Sequence, residues 1–157
     1  MIDLYVFDLD GTLADLTHRL PLITPPAKKD WKQFFELCEH DKPIDWVINL
    51  NRLVFHSKYG KVVILSGRMN TVREKTENWL DKHYVRYHEL IMREAGDYRC
   101  DTIVKAEMMD KLLSLNDYNL QFIVDDRQRV VDMWRARGYN VLQCNAWKEV
   151  EGTYEKE

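Results

Sequence analysis

Cysteine is scarce in this 157-residue chain, with Cys38, Cys100 and Cys144 odd in number, widely spaced and forming no Cys-x-x-Cys pair. A dense disulfide framework is thereby excluded, and reduced thiols in a cytoplasmic compartment are expected. Long apolar runs are lacking as well. None approaches a membrane span, and the first residues show no basic segment followed by an apolar core, so neither membrane association nor a secretory leader is expected. Strong positive charge is also missing, since 23 Lys and Arg face 26 Asp and Glu for a net charge of −3. A protein that grips a long nucleic-acid backbone needs a basic surface, so that class is disfavoured, although a local arginine cluster is not. No internal repeat or linker interrupts the chain, and a single domain over 1–157 is expected.

What is present is an alternation of strands and helices. Ile2, Leu4, Tyr5, Val6 and Phe7 form a nearly continuous apolar run, the pattern of a strand buried on both faces of a parallel sheet. Residues 61–65, 90–92, 121–124 and 140–143 read as further strands. A helix is expected from Asp45 to a capping Gly60, with Trp46, Leu50, Leu53 and Val54 inward. Others are expected over 71–82, from a capping Asp101 to Leu115 with Ile103, Val104, Met108, Leu112 and Leu115 inward, and around Val130, Met133 and Trp134, closing at Gly138. This order specifies an α/β fold, a doubly wound parallel sheet with right-handed crossovers. Pro21, Pro25 and Pro26 prevent a long helix after the first strand, and Asp30 can cap a short one from Trp31 to about Glu39. Residues 14–42 thus read as a small lid or buttress. The charged tail 148–157 is expected to fray.

Three strands end in chemistry: Asp8 and Asp10 at the first, Ser66-Gly67-Arg68 at the second, and Asp125-Asp126-Arg127 at the fourth. With the first strand central and flanked by the second and fourth, all three converge on the carboxyl edge, where doubly wound sheets bind ligands. Adjacent buried carboxylates are costly unless a cation compensates them, and Mg2+ suits hard oxygen ligands. Turns and helix N-termini also collect acids without function. Coincidence at three strand ends favours a site.

The run Asp8-Leu9-Asp10-Gly11-Thr12-Leu13 after an apolar strand resembles the first motif of the haloacid dehalogenase superfamily of phosphohydrolases. Phosphoryl transfer needs an in-line nucleophile, charge neutralisation and a proton donor. On this resemblance Asp8 is the nucleophile, forming an aspartyl-phosphate. Asp10 is the general acid and base, a role that asks for a raised pKa. Asp8, the main-chain carbonyl of Asp10, and Asp126 are expected to hold Mg2+, with Asp125 assisting directly or through water. Which of the last pair touches the metal is open. Ser66 and Lys105 would hold phosphoryl oxygens, and Thr12 would support the first motif.

Asp8 to Asp10, Arg19, Ser66-Gly67-Arg68, the run from Arg93 through Gly96-Asp97-Tyr98-Arg99-Cys100-Asp101 to Lys105, and Ile123 to Arg127 together resemble the 3′-phosphatase domain of bacteriophage-type polynucleotide kinase-phosphatases. The resemblance implies removal of a 3′-phosphate from DNA or RNA ends or nucleotides with Mg2+. It makes Arg19, Arg68 and Arg93, with Gly67, substrate or phosphate contacts, and Asp101 and Arg127 supporting residues. No Gly-x-x-x-x-Gly-Lys-[Ser/Thr] loop occurs, so the kinase half is missing and a separate kinase or ligase partner is conceivable. Two alternatives stand beside this expectation. One is a 5′- or 3′-nucleotidase for free mononucleotides; the other is a catalytically idle module that binds nucleic-acid ends or serves a separate kinase.

Overall fold

The computed structural model describes residues 1–57, 59–146 and 150–154. Its frame is a five-stranded parallel sheet in the order β5-β4-β1-β6-β7, built from β1 (Ile2–Phe7), β4 (Gly60–Met69), β5 (Glu89–Arg93), β6 (Tyr118–Asp125) and β7 (Val141–Gln143). The chain moves outward from β1 in one direction, then returns to lay β6 and β7 on the other side. The strand order therefore reverses between β1 and β6, and the carboxyl ends flanking that point form a crevice.

Strand parity divides the core. Phe7, Val62 and Ile64 face one layer, where α2 (Asp45–His56) and α3 (Arg73–Lys82) contribute Val47, Ile48, Trp79 and Leu80. Leu4, Val6, Val63, Leu65 and Ile123 face the other, against Met109 and Leu112 of α4 (Asp101–Leu115) and Val130 and Trp134 of α5 (Gln128–Ala136). Strands buried on both sides give the unbroken apolar runs seen in the sequence.

Between β1 and α2 the chain makes an excursion, closed at its base where β2 (Ala14–Asp15) pairs antiparallel with β3 (Lys42–Pro43). It contains a 3-10 turn over Thr17–Leu22, the short helix α1 (Trp31–Glu36) and a second 3-10 turn over Leu37–His40. Asp30 caps α1 as expected, its carboxylate accepting the Gln33 amide at 3.0 Å.

Four details differ from the sequence reading. Trp46 and Leu53 are exposed, and α2 instead buries Val47, Ile48 and Asn51. Asn51 belongs inside because its amide clamps the Arg86 backbone in both directions, at 2.9 Å each. Gly60 is no helix cap; it lies in β4, where a Cβ would strike the Asp3 carbonyl, and the Ser57 hydroxyl ends α2 by donating to Val54 O at 2.6 Å. Ile103 and Leu115 are exposed, since the buried stripe of α4 runs through Val104, Lys105, Met109 and Leu112. The tail expected to fray packs down over its described part, with Thr153 buried and Lys29 Nζ donating to Gly152 O at 2.5 Å; 148, 149 and 155–157 lie outside the described residues.

Candidate active site

The three strand ends meet at the crevice, and their side chains sort into three groups. The first is acidic. Asp8, Asp125 and Asp126 are all buried and each brings an oxygen within 4.8 Å of the others. Lys105, one turn into α4, donates to Asp8 Oδ1 at 2.8 Å and to Asp125 Oδ2 at 3.2 Å. Thr12 Oγ1 lies 3.1 Å from Asp8 Oδ2 and 3.2 Å from Asp126 Oδ1, so it bridges the strand ends. Asp125 is fixed further by the Trp134 indole on Oδ2 at 3.3 Å and by the Asp126 amide on Oδ1 at 2.9 Å.

Burial, together with the charge of Asp125, pushes the Asp8 carboxyl well above its ordinary range. Lys105 moves the other way from most buried lysines: desolvation favours loss of its proton, but Asp125 and Asp8 outweigh it and hold the ammonium. Three buried acids thus meet with Lys105 beside two of them, and this all-oxygen donor set fits a hard divalent cation, so the cluster could hold a metal ion. Gly11 makes the close approach possible. It lies at φ +83°, and a Cβ there would overlap the Asp126 carboxylate.

The second group is a buried quartet. Arg19 and Arg68, both completely inaccessible, face Asp10 and Asp41. Arg68 donates to Asp10 from Nε at 3.0 and 3.1 Å and from an Nη at 2.7 Å, to Asp41 Oδ2 at 2.9 Å, and to Thr76 Oγ1 at 3.2 Å. Arg19 reaches Asp41 through two bonds of 2.8 Å, Asp10 at 2.7 Å and the Phe34 carbonyl at 3.2 Å. A slip in the β4–β5 register between Ser66 and Met69 lies where Arg68 turns into this cluster.

Through these bonds Arg19 and Arg68 both hold Asp10. One expectation is corrected here. Asp10 is not raised in pKa: burial would lift it, but Arg68 and then Arg19 dominate and hold its carboxyl well below the usual range. Its carboxylate also lies outside the acidic cluster, leaving only its main chain for the expected metal contact.

The third group surrounds Asp101. Its two oxygens are taken by Arg93, through an ion pair, and by Arg127 at 2.6 Å. Asp101 is therefore not the cap of α4; Cys100 occupies that position. Arg93 also donates to the carbonyls of Gly67 at 2.9 Å, Asp97 at 3.1 Å and Arg99 at 2.7 Å, which makes it the hub of the 93–101 segment. Gly67 is needed because a Cβ would come within 2.8 Å of Asp101 Oδ1. Ser66 is buried in the crevice and its Oγ accepts the Arg68 amide at 3.1 Å, leaving the hydroxyl hydrogen to donate elsewhere.

Asp41 was missed by sequence reasoning. Charge counting offers the signal: two arginines buried together need a second acid besides Asp10, and Asp41 directly follows the 3-10 turn Leu37–His40.

The family model described as "Polynucleotide kinase PNKP phosphatase domain" matches residues 3–147. A chain from the "Structure of Pnkp1/Rnl/Hen1 complex" is similar at 32% identity and a TM-score of 0.76, over 92% of this chain and 46% of that one. A protein of Autographa californica nuclear polyhedrosis virus named "Putative bifunctional polynucleotide kinase/RNA ligase" is 26% identical over 129 residues, which are 82% of this chain and 17% of the viral one. This chain thus spans less than half of either relative. A haloacid dehalogenase-like hydrolase from Streptococcus pneumoniae shares the fold, with a TM-score of 0.62 at 14% identity, over 90% of this chain and 84% of that protein.

Proposed function

Because the chain belongs to the polynucleotide kinase PNKP phosphatase-domain family, we propose that it is a magnesium-dependent phosphatase that removes the 3′-phosphate from nucleic-acid ends. The observation that carries this reading is Asp8, buried at the end of β1 with Lys105 on one oxygen and two further carboxylates beside it. Such a carboxylate is aligned for attack only when its charge is neutralised.

Asp8 attacks phosphorus through one oxygen, the ester bond to the 3′-oxygen breaks, and that oxygen leaves with a proton from Asp10. Water then displaces the phosphoryl group from Asp8, Asp10 takes the water's proton, and inorganic phosphate is released. As held here Asp10 is a carboxylate, the form needed for the second step. The first step requires it to be protonated, and Arg19 and Arg68 fix where it then points. Asp8, Asp126 and the Asp10 main chain would hold Mg2+, which supplies charge neutralisation at the phosphoryl oxygens. Asp125, whose two oxygens already accept Lys105, Trp134 and two backbone amides, would orient Lys105 and reach the ion through water. Ser66 and Lys105 would donate to the phosphoryl oxygens.

The viral relative's name joins polynucleotide kinase to RNA ligase, and the solved relative lies in a complex with Rnl and Hen1. A separate kinase or ligase is accordingly the partner class we propose.

The test is phosphate release, with and without Mg2+, from matched oligonucleotides ending in 3′-phosphate or 5′-phosphate and from free 3′- and 5′-mononucleotides. Preference for the 3′-phosphate ends supports the reading. Preference for 5′-mononucleotides selects the nucleotidase alternative, and no release from any substrate selects the idle binding module.

A further inference from the structure

Asp125 brings an oxygen within 4.8 Å of one on Asp8 and one on Asp126, close enough to share an ion with them. Its lone pairs are nonetheless spent on the protein. Oδ1 accepts the amides of Asp126 at 2.9 Å and Arg127 at 3.4 Å, while Oδ2 accepts Lys105 Nζ at 3.2 Å and the Trp134 indole at 3.3 Å. A carboxylate offers about four such positions, so all are taken. The two amides belong to the turn that follows β6, and Lys105 also serves Asp8 Oδ1. Among the described residues, the Trp134 indole N–H is given to Asp125 alone.

Trp134 lies on the inward stripe of α5 with Val130 and Val131, completely inaccessible, in the apolar cluster that holds Leu4, Val6 and Ile123 of the sheet. Packing at such a position asks only for an apolar side chain, and leucine or phenylalanine would bring no polar group to satisfy. The indole brings one donor, and it meets the acid next to Asp126. Without it Oδ2 would keep only Lys105, while Oδ1 stays pinned by the two amides. The carboxylate would then be free to turn an oxygen toward Asp8 and Asp126. The number of oxygens at a hard-cation site decides which ion it favours: Mg2+ keeps several waters and needs few carboxylates, whereas Ca2+ takes about six to eight oxygens at longer distances.

We infer that Trp134 is a positioning residue that holds Asp125 on Lys105 and away from the ion, and that it thereby sets the preference of the acidic cluster for Mg2+ over Ca2+. The inference rests on the phosphatase reading only for the presence of a divalent cation beside Asp8 and Asp126. Trp134 itself acts from the core, through Asp125.

The test reads ion binding without turnover. Mg2+ and Ca2+ are titrated separately against the thermal unfolding midpoint of wild type and of Trp134→Phe, each protein compared with its own ion-free midpoint. Phenylalanine keeps an aromatic ring in the core and removes the donor. The Ca2+ concentration that gives half the full shift should fall about tenfold relative to that of Mg2+ in Trp134→Phe. In an Asp125→Asn background the same substitution should leave that ratio unchanged, because no carboxylate is left to turn; mere loosening of the core would move both backgrounds alike. A measurement on the wild type answers even if Trp134→Phe folds poorly: by NMR, the Trp134 indole proton should keep its chemical shift and slow exchange when Mg2+ saturates the protein. An unchanged ratio in folded Trp134→Phe, an equal change in the Asp125→Asn background, or loss of the indole hydrogen bond on adding Mg2+ would each overturn the inference. Wild-type midpoints that respond to neither ion would overturn the metal reading, and the inference with it.

Discussion

Replacing Asp41 by Asn tests whether Asp10 is held by a balanced buried quartet. Asp41 is inaccessible and accepts four bonds: from the His18 ring at 2.7 Å, from Arg19 at 2.8 Å on each oxygen, and from Arg68 at 2.9 Å. Asparagine fits the space and can still accept on one oxygen. Its NH2 group would face the Arg19 and Arg68 donors that now meet Oδ2, so two charge-assisted bonds are lost and one guanidinium charge is left uncompensated. Bonds of this kind contribute about 1.5–3 kcal/mol each, and breaking a buried ion pair from one side costs about 3–5 kcal/mol. A loss near 3–5 kcal/mol is therefore expected, a large share of the roughly 5–15 kcal/mol that holds a typical domain. Urea unfolding of wild type and Asp41→Asn reads it directly, with phosphate release on the folded fraction as the second readout. Turnover should fall with Asp10 set loose. A stability change below about 1 kcal/mol with undiminished turnover would refute the quartet as the device that positions Asp10.

Gly67→Ala should cost about 1–3 kcal/mol, because the added carbon meets Asp101 where Arg93 and Arg127 pin it; an unfolding midpoint equal to wild type would contradict this. Mg2+ should raise the thermal unfolding midpoint, since relief of the crowded carboxylates stabilises only the folded chain. Asp126→Asn should abolish that shift, chelator should stop turnover, and Ca2+, which wants more and longer oxygen contacts, should inhibit. Alkylation at pH 8 should reach Cys100 first. That thiol is exposed, and although burial works against it, hydrogen bonds from Thr102 lower its pKa. Burial raises Cys38 and pushes Cys144 up to about 12, so mass spectrometry finding either modified before Cys100 would contradict the environments described.

The strand order and the convergence of Asp8, Ser66, Asp125 and Asp126 were legible because a doubly buried strand advertises itself as an unbroken apolar run and its next residues must emerge at one edge. Helix faces were less legible. In α2 and α4 a buried polar residue, Asn51 and Lys105 respectively, sits on the inward stripe, so a stripe drawn through apolar residues alone is rotated toward Trp46, Leu53, Ile103 and Leu115. Arg19 and Arg68 were found but their partners were not. The distances pair each guanidinium with Asp10 and with Asp41, a residue that the excursion brings in and that no motif in the sequence marks. Docking of 150–154 was illegible because it depends on one backbone carbonyl and one ring meeting Lys29 and Arg127.

Transfer of radiolabelled phosphate from the 3′ end of an oligonucleotide to the protein tests the central claim most directly. Acid quenching during turnover should trap label on the chain in a hydroxylamine-sensitive linkage that maps to Asp8, and a folded Asp8→Asn protein should take up none and release no phosphate. Phosphate release at the wild-type rate by Asp8→Asn, or turnover without any label reaching Asp8, would contradict it.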